Sequence, residues 1–268
     1  MSKTLDRTVL DFFGFSRLPF SKGLASGQAF STESFQEAAA RLAFAVGEED
    51  FFLLTGAVGI GKSVVLQSFL AELDTNRYTP LYIRGASLSD GELFKAILAG
   101  LDREPPRFSQ TAKRLYFSVI PELTRKPLVL LDDAQDLKES ALMNLKSMTN
   151  FGCDSQSKIA FILSGQPELR ARLRLNQFLP LLQRIRLSFH MKPMSLEETC
   201  RYIDHHTTAA GAPSPLFSDS AKADIHRHVE GIPRAVNSLC YRSIIAAALK
   251  QRKVIDSADL SFDNPIDG

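Results

Sequence analysis

Cysteine is scarce in this chain. Its 268 residues include three, Cys153, Cys200 and Cys240, an odd number with long gaps between them. That excludes a disulfide framework and a cysteine-rich zinc site, and fits a reducing compartment where thiols pack as small hydrophobes. Long apolar runs are missing too. Stretches such as Pro127–Leu131 and Ser243–Leu249 stop at charges, far short of the roughly 20 residues that cross a bilayer. The N-terminus, Met1-Ser2-Lys3-Thr4-Leu5-Asp6-Arg7, has no apolar signal core behind its charges. A cytoplasmic location without a membrane segment is therefore expected. Neither sign of charge dominates: 32 basic residues face 30 acidic ones, a net of +2, so any nucleic-acid surface must be a local patch. The pairs His205-His206 and His226/His228 lack the i,i+4 spacing that sets two imidazoles on one helix face. What is present, 44% hydrophobic and 23% charged residues, is the composition of a soluble globular protein of one large domain, or a large and a small one.

Residues 9–30, rich in Phe, Gly and Ser, show no sustained period and read as an irregular N-terminal segment (1–30) held by Phe12, Phe13, Phe15 and Phe20. A helix is predicted over Thr32–Val46 from its apolar spacing. Short apolar runs then alternate with amphipathic stretches. The runs are Phe51–Thr55, Leu81–Arg84, Leu128–Asp132, Ile159–Ser164 and Ile185–His190, the first four apolar nearly throughout, as strands covered on both faces are. Helices are predicted between them over Lys62–Leu73, Asp90–Leu101, Gln110–Leu123, Lys138–Asn150 and Glu168–Leu175. The alternation predicts an α/β domain over 31–193, a parallel sheet sandwiched by helices. From Ser195 onward, three helices are predicted with no strand between them: Leu196–Ala210, Asp219–Val229 and Arg234–Lys250. Gly211–Pro215 and Gly231–Pro233 break them apart, giving a small all-helical lid over 194–268.

The strongest chemical signal is Gly56-Ala57-Val58-Gly59-Ile60-Gly61-Lys62-Ser63, a complete G-x-x-x-x-G-K-S. A buried strand enters it and an amphipathic helix, beginning Val64-Val65-Leu66, leaves it, the context a phosphate-binding loop requires. Glycines let the backbone wrap phosphate oxygens with its N–H groups turned inward, and the helix N-terminus adds a positive dipole end. Lys62 would reach the β/γ phosphates of a nucleoside triphosphate and Ser63 would ligate Mg²⁺; the residues from Gly56 to Val64 are the candidate nucleotide-binding set. A second element follows at the end of another buried strand, Leu128-Val129-Leu130-Leu131-Asp132-Asp133. Asp132 would complete the Mg²⁺ site with Ser63, and Asp133 stands where a carboxylate orients attacking water.

With Phe13-Gly14-Phe15, Leu18-Pro19-Phe20, Leu131–Gln135, Gly165-Gln166-Pro167-Glu168-Leu169, Gln183-Arg184-Ile185 and Gly231-Ile232-Pro233-Arg234, the chain resembles a group of AAA+ ATPases from about Phe12 to Leu249. That group contains the transposition ATPases (TnsC, TniB and IstB-like proteins) and the ATPase domain of general secretion pathway protein A (ExeA-like). The resemblance implies that Ser164, or Gln166 nearby, is the sensor-1 residue at the γ-phosphate. It implies that Arg234 is the sensor-2 arginine of the lid. Arg184, with Arg186 as the alternative, is implied as the finger that one subunit inserts into its neighbour's site. Arginine suits both tasks through its permanent charge and planar fork. Phe15 and Phe20 either line an adenine pocket or simply pack. One departure stands out: the group's usual acidic pair is Asp-Glu, and here it is Asp132-Asp133. A side chain one methylene shorter holds its carboxylate about 1 Å away from the aligning position, a displacement that can cost on the order of 100-fold in rate. Slow hydrolysis, suited to an ATP-timed switch, is expected.

Self-association into a ring or filament is implied by a finger acting in trans. The leading functional expectation is a transposition regulator that assembles on duplex DNA and recruits a transposase, since the chain ends at Gly268 without a membrane anchor. Arg103, Arg107, Lys113, Arg114 and Lys146 form either a salt-sensitive contact to the phosphate backbone or an ordinary solvated face. The alternatives are a secretion-type (ExeA-like) ATPase domain and a nucleotide-binding scaffold with little turnover.

Overall fold

Five short runs form one parallel sheet in the computed structural model, which describes residues 2–21, 30–48, 50–85, 87–151 and 158–262. Cys153 lies outside the described residues. The strands are β1 (Phe51–Thr55), β2 (Tyr78–Arg84), β3 (Lys126–Asp132), β4 (Ala160–Gly165) and β5 (Leu187–His190), in spatial order β2-β3-β4-β1-β5. Every residue of β1 and β4 is buried, as is β3 after Lys126, which is why those runs are apolar without alternation. β2 is an edge strand and does alternate in its second half: Leu81 and Ile83 face the core while Tyr82 and Arg84 are exposed.

The sequence reading starts β2 at Leu81, but the strand runs from Tyr78 and includes Pro80, paired with Leu128. An edge strand tolerates proline because one side of its ladder needs no donor. β5 begins at Leu187 rather than Ile185. The N–H groups of Gln183, Arg184 and Ile185 are already bonded to the carbonyls of Leu179, Leu181 and Leu182, so the chain is still turning there.

Helices α2 (Glu33–Glu48), α3 (Lys62–Glu72), α4 (Asp90–Gly100), α5 (Ser109–Val119), α6 (Glu139–Met148), α7 (Pro167–Leu173) and the short α8 (Leu179–Leu182) fill the intervals. The sheet and its helices make one compact unit, 35–58 with 62–191. Its core joins Phe51, Leu53, Val129, Leu131, Phe161 and Leu163 from the strands to Leu93, Ile97, Tyr116 and Leu145 from the helices. α4 starts where a capping box fixes it: Ser89 Oγ accepts the N–H of Glu92, and the Glu92 carboxylate accepts the N–H of Ser89.

The second unit comprises 1–34, 59–61 and 192–268. It holds α9 (Leu196–Ala209), α10 (Asp219–Val229) and α11 (Pro233–Leu249), close to the three helices expected. Its N-terminal part departs from expectation. In place of an irregular segment, Ser2–Phe13 forms helix α1, which packs against α11. The mixed polar and apolar pattern of this stretch becomes helical once Val9 and Phe13 have a hydrophobic surface to bury against. Phe13, Phe15 and Phe20 are buried in the same core as Tyr202, Leu239 and Ile244, with Phe12 partly buried beside them. Packing is thus the role the fold gives Phe15, which stacks on Phe13, and Phe20, whose ring lies 5.2 Å from that of His206. Cys240 is buried and Cys200 half-buried, both as free thiols.

Candidate functional site

The sheet topology brings the chemistry together. β1, β3 and β4 lie side by side and parallel, so the segments that leave their C-terminal ends emerge on one edge of the sheet. From β1 comes the loop Gly56–Gly61 and then α3, whose first residues are Lys62 and Ser63. Gly59 and Gly61 take φ of 79° and 108°, the left-handed region that side chains oppose.

Lys62 is buried, and its ammonium donates to the carbonyls of Gly56 at 2.8 Å and Ala57 at 3.1 Å. In this state the lysine braces its own loop. Phosphate oxygens offer the ammonium a stronger, charged acceptor than two carbonyls. Val58 and Val64 are exposed on the loop and the first turn of α3, whereas Ile60 is buried.

Asp132 ends β3 and is almost wholly buried. Its Oδ1 accepts from Ser164 Oγ at 2.9 Å and from the N–H of Asp133 at 3.1 Å; its Oδ2 accepts from Tyr82 Oη at 2.5 Å and from Ser63 Oγ at 3.4 Å. Ser63 and Asp132, the expected metal pair, thus lie within hydrogen-bond reach of each other, and the Ser164 hydroxyl donates to the same carboxylate. Two oxygens 3.4 Å apart are close to the roughly 3 Å edge of an octahedron with Mg–O near 2.1 Å, so a hydroxyl and a carboxylate here fit Mg²⁺. Among the described residues no cluster of three or more His, Cys, Asp or Glu side chains could cage a metal. The remaining oxygens would come from phosphate and water, the usual arrangement for Mg²⁺ at nucleotide sites.

Asp133 follows in the left-handed conformation, φ 52°, which aspartate tolerates better than most residues. Its Oδ1 accepts from the amide of Gln135 at 3.2 Å, while Gln135 Oε1 accepts the N–H of Gln166 at 3.0 Å. Gln135 therefore ties the second acid of β3 to the turn after β4. At the other flank His190, ending β5, shares a 3.0 Å hydrogen bond with the buried Thr55 hydroxyl. Burial, then the charges of Arg170 and Lys62, hold its imidazole below the usual histidine range, so the ring is neutral.

Arg184 lies at the C-terminal end of α6. Its guanidinium donates to Thr149 Oγ1 at 2.6 Å, to Asn150 Oδ1 at 2.7 Å and to the Lys146 carbonyl at 3.4 Å. A cation suits that helix end, where carbonyls lack partners. Arg186 is exposed. Arg234 opens α11, and its N–H donates to the Gly59 carbonyl at 3.2 Å, both residues belonging to the second compact unit. A Cβ on Gly59 would stand 2.6 Å from the Arg234 Cβ, so this approach admits only glycine.

Tyr82 is the site residue that motif reading misses. It belongs to no pattern, and only the pairing of β2 with β3 reveals it: Tyr82 is opposite Leu130 and Arg84 opposite Asp132. Its phenol is pushed up to about 12, first by burial, then by the hydrogen bond to Asp132 and that carboxylate's charge, so the proton stays on the phenol.

Residues 46–173 match a family model described as "AAA domain". General secretion pathway protein A of Aeromonas hydrophila is 32% identical over 259 residues, which cover 94% of this chain and 47% of that protein. The chain thus spans about half the length of this curated relative. Among solved structures, Cdc6p from Pyrobaculum aerophilum superposes with a TM-score of 0.69 at 18% identity, covering 88% of this chain and 67% of that one. The Walker-type ATPase of Pyrococcus abyssi gives 0.64 at 19%, covering 87% and 74%. The AAA+ resemblance carried by the motifs is therefore upheld in sequence and in fold.

Proposed function

We propose that this AAA+ ATPase fold binds ATP with Mg²⁺ and hydrolyses it slowly, as the nucleotide-driven part of a secretion-type assembly. The observation that carries the ATPase reading is the convergence of Lys62, Ser63, Asp132 and Ser164 at one sheet edge. Similarity to general secretion pathway protein A over most of this chain supports the secretion setting.

In this reading the phosphates draw Lys62 away from the Gly56 and Ala57 carbonyls, and the loop N–H groups with the lysine stabilise charge on the transferring oxygens. Ser63 and Asp132 would hold Mg²⁺, which when bound neutralises phosphate charge. Ser164 keeps Asp132 oriented and faces the γ-phosphate side. Asp133 orients the attacking water, with its short reach limiting the rate. Arg234 serves as the sensor on the nucleotide and Arg184 as the finger for a neighbouring subunit, so ATP state and assembly are coupled.

The transposition reading is favoured by a different observation. Arg103, Arg107, Lys113 and Arg114 are all exposed around the start of α5, with Phe108 exposed among them and Lys146 half-buried on α6. This suits a phosphate backbone contacted without sequence preference. It ranks second because the curated relative is a secretion protein. Among the described residues no helix is long and apolar enough to cross a membrane.

The deciding experiment measures ATP turnover of the purified protein with and without long duplex DNA across a salt series, beside Lys62→Ala. Turnover lost in Lys62→Ala and indifferent to DNA supports the secretion reading. Stimulation by DNA that fades with salt shifts the assignment to transposition. Bound ATP that is never converted supports the scaffold reading and overturns both.

A further inference from the structure

The carboxylate of Asp132 has about four acceptor positions, and four donors occupy them. Those on Oδ1, Ser164 and the Asp133 N–H, belong to β4 and to the backbone of the same turn. Those on Oδ2 differ sharply in strength: Ser63 stands at 3.4 Å, a long contact, and Tyr82 at 2.5 Å, a short one of the kind charged acceptors make. Oδ2 is the oxygen that faces Ser63, so its position is fixed chiefly by the tyrosine.

Strand geometry makes this contact specific. Leu81, Ile83 and Leu131 belong to the core on one face of the sheet. Tyr82 and Asp132, each next in sequence, therefore lie on the opposite face. Their strands are hydrogen-bonded neighbours, with Arg84 directly opposite Asp132. The Tyr82 side chain is half exposed, so its ring adds little to the core; its fixed feature is the hydroxyl on the carboxylate.

We infer that Tyr82 is a positioning residue for the metal at the nucleotide site, holding Asp132 Oδ2 toward Ser63 so that the two oxygens are already paired when nucleotide and Mg²⁺ arrive. This rests on the ATP-site reading above. Tyr82 acts on that site through its hydrogen bond to Asp132. Residues that orient a metal-binding carboxylate in this way typically change metal affinity by 10–100-fold when removed.

The test compares the parent protein with Tyr82→Phe, which deletes the hydroxyl and keeps the ring. Mn²⁺ binding is followed by electron paramagnetic resonance in the presence of ADP, and ADP binding is measured by calorimetry in EDTA. We expect Tyr82→Phe to weaken Mn²⁺ binding tenfold or more while ADP affinity in EDTA stays within twofold and the melting temperature is unchanged. Equal Mn²⁺ affinity in the two proteins overturns the inference and leaves the ATP site standing. Parallel losses of Mn²⁺ binding and of metal-free ADP binding also overturn it, since they mark a general role in shaping the loop. Failure of the parent protein to bind ADP at all overturns the ATP-site reading and this inference together.

Discussion

Asp132 ends β3 and Ser164 is the penultimate residue of the adjacent parallel β4, and the serine hydroxyl donates to the carboxylate at 2.9 Å. Ser164 is fully buried, so removing its hydroxyl takes from the buried Oδ1 the shorter of its two hydrogen bonds, leaving the Asp133 N–H. Ser164→Ala is expected to lower ATP turnover tenfold or more while ADP affinity in EDTA changes less than twofold. Equal losses in both would show that the serine shapes the loop as a whole.

Lys62 offers the sharpest separation of binding from folding. Its ammonium donates to the loop carbonyls of Gly56 and Ala57, which water can satisfy when the ammonium is gone. In Lys62→Ala, ATP turnover should fall by about 100-fold or more, the scale expected when a donor is removed from a charge-developing centre. Thermal denaturation should show a Tm within a few degrees of the parent.

Asp133→Glu tests the shortened acid. The longer side chain brings its carboxylate about 1 Å further, and turnover should rise about tenfold. The same residue sits at φ 52°, where glutamate is less comfortable than aspartate, so Tm should drop by a few degrees. Faster turnover in a slightly less stable protein is the expected pairing. Turnover that is unchanged or lower would remove the explanation offered for slow hydrolysis.

Arg184 carries two proposals that one mixture separates. As an anchor on the end of α6 it holds Thr149 and Asn150, and Arg184→Ala should cost about 1–3 kcal/mol in stability, read by urea denaturation. As a finger acting in trans, it should be supplied by a different subunit from the one that supplies Lys62. Combining inactive Arg184→Ala and inactive Lys62→Ala proteins should then restore measurable turnover. A mixture that stays inactive confines Arg184 to its anchoring role.

His206 predicts a pH response in the helical unit. Burial, then the positive charges of His205 and Arg17, push its imidazole down to about 4 from 6.5. The unfolded chain therefore takes up a proton between those values and the folded one does not. The stabilisation is fully present above pH 6.5 and is lost as pH falls toward 4, by up to about 3 kcal/mol. Urea denaturation followed across that window should show the slope, and His206→Asn should flatten it.

The α/β alternation, the phosphate loop and the acid pair were legible because each rests on a local pattern. Double-sided burial makes β1 and β4 apolar nearly throughout, and tight wrapping requires Gly59 and Gly61. α1 was not legible, since Val9 and Phe13 have a helical role only when α11 supplies the surface they cover. The start of β2 was hidden by Pro80, whose presence argues against a strand until its edge position is known. Tyr82 was invisible for a related reason: its partner lies fifty residues away, and strand order is not written in any short window. Gln135 falls within the stretch Leu131–Gln135, but its bridge from Asp133 to Gln166 emerges only once β3 and β4 are neighbours.

The position of β1 also dictates when the nucleotide loop can exist. Among the described residues its sheet neighbours are β4 and β5, both made late, since β5 ends at His190. A ribosome that has finished the phosphate loop has therefore produced a strand with neither flank, and it must add well over a hundred further residues before the loop has a base to stand on. A nascent chain halted before β4 should fail to retain ATP, and one released after β5 should begin to hold it.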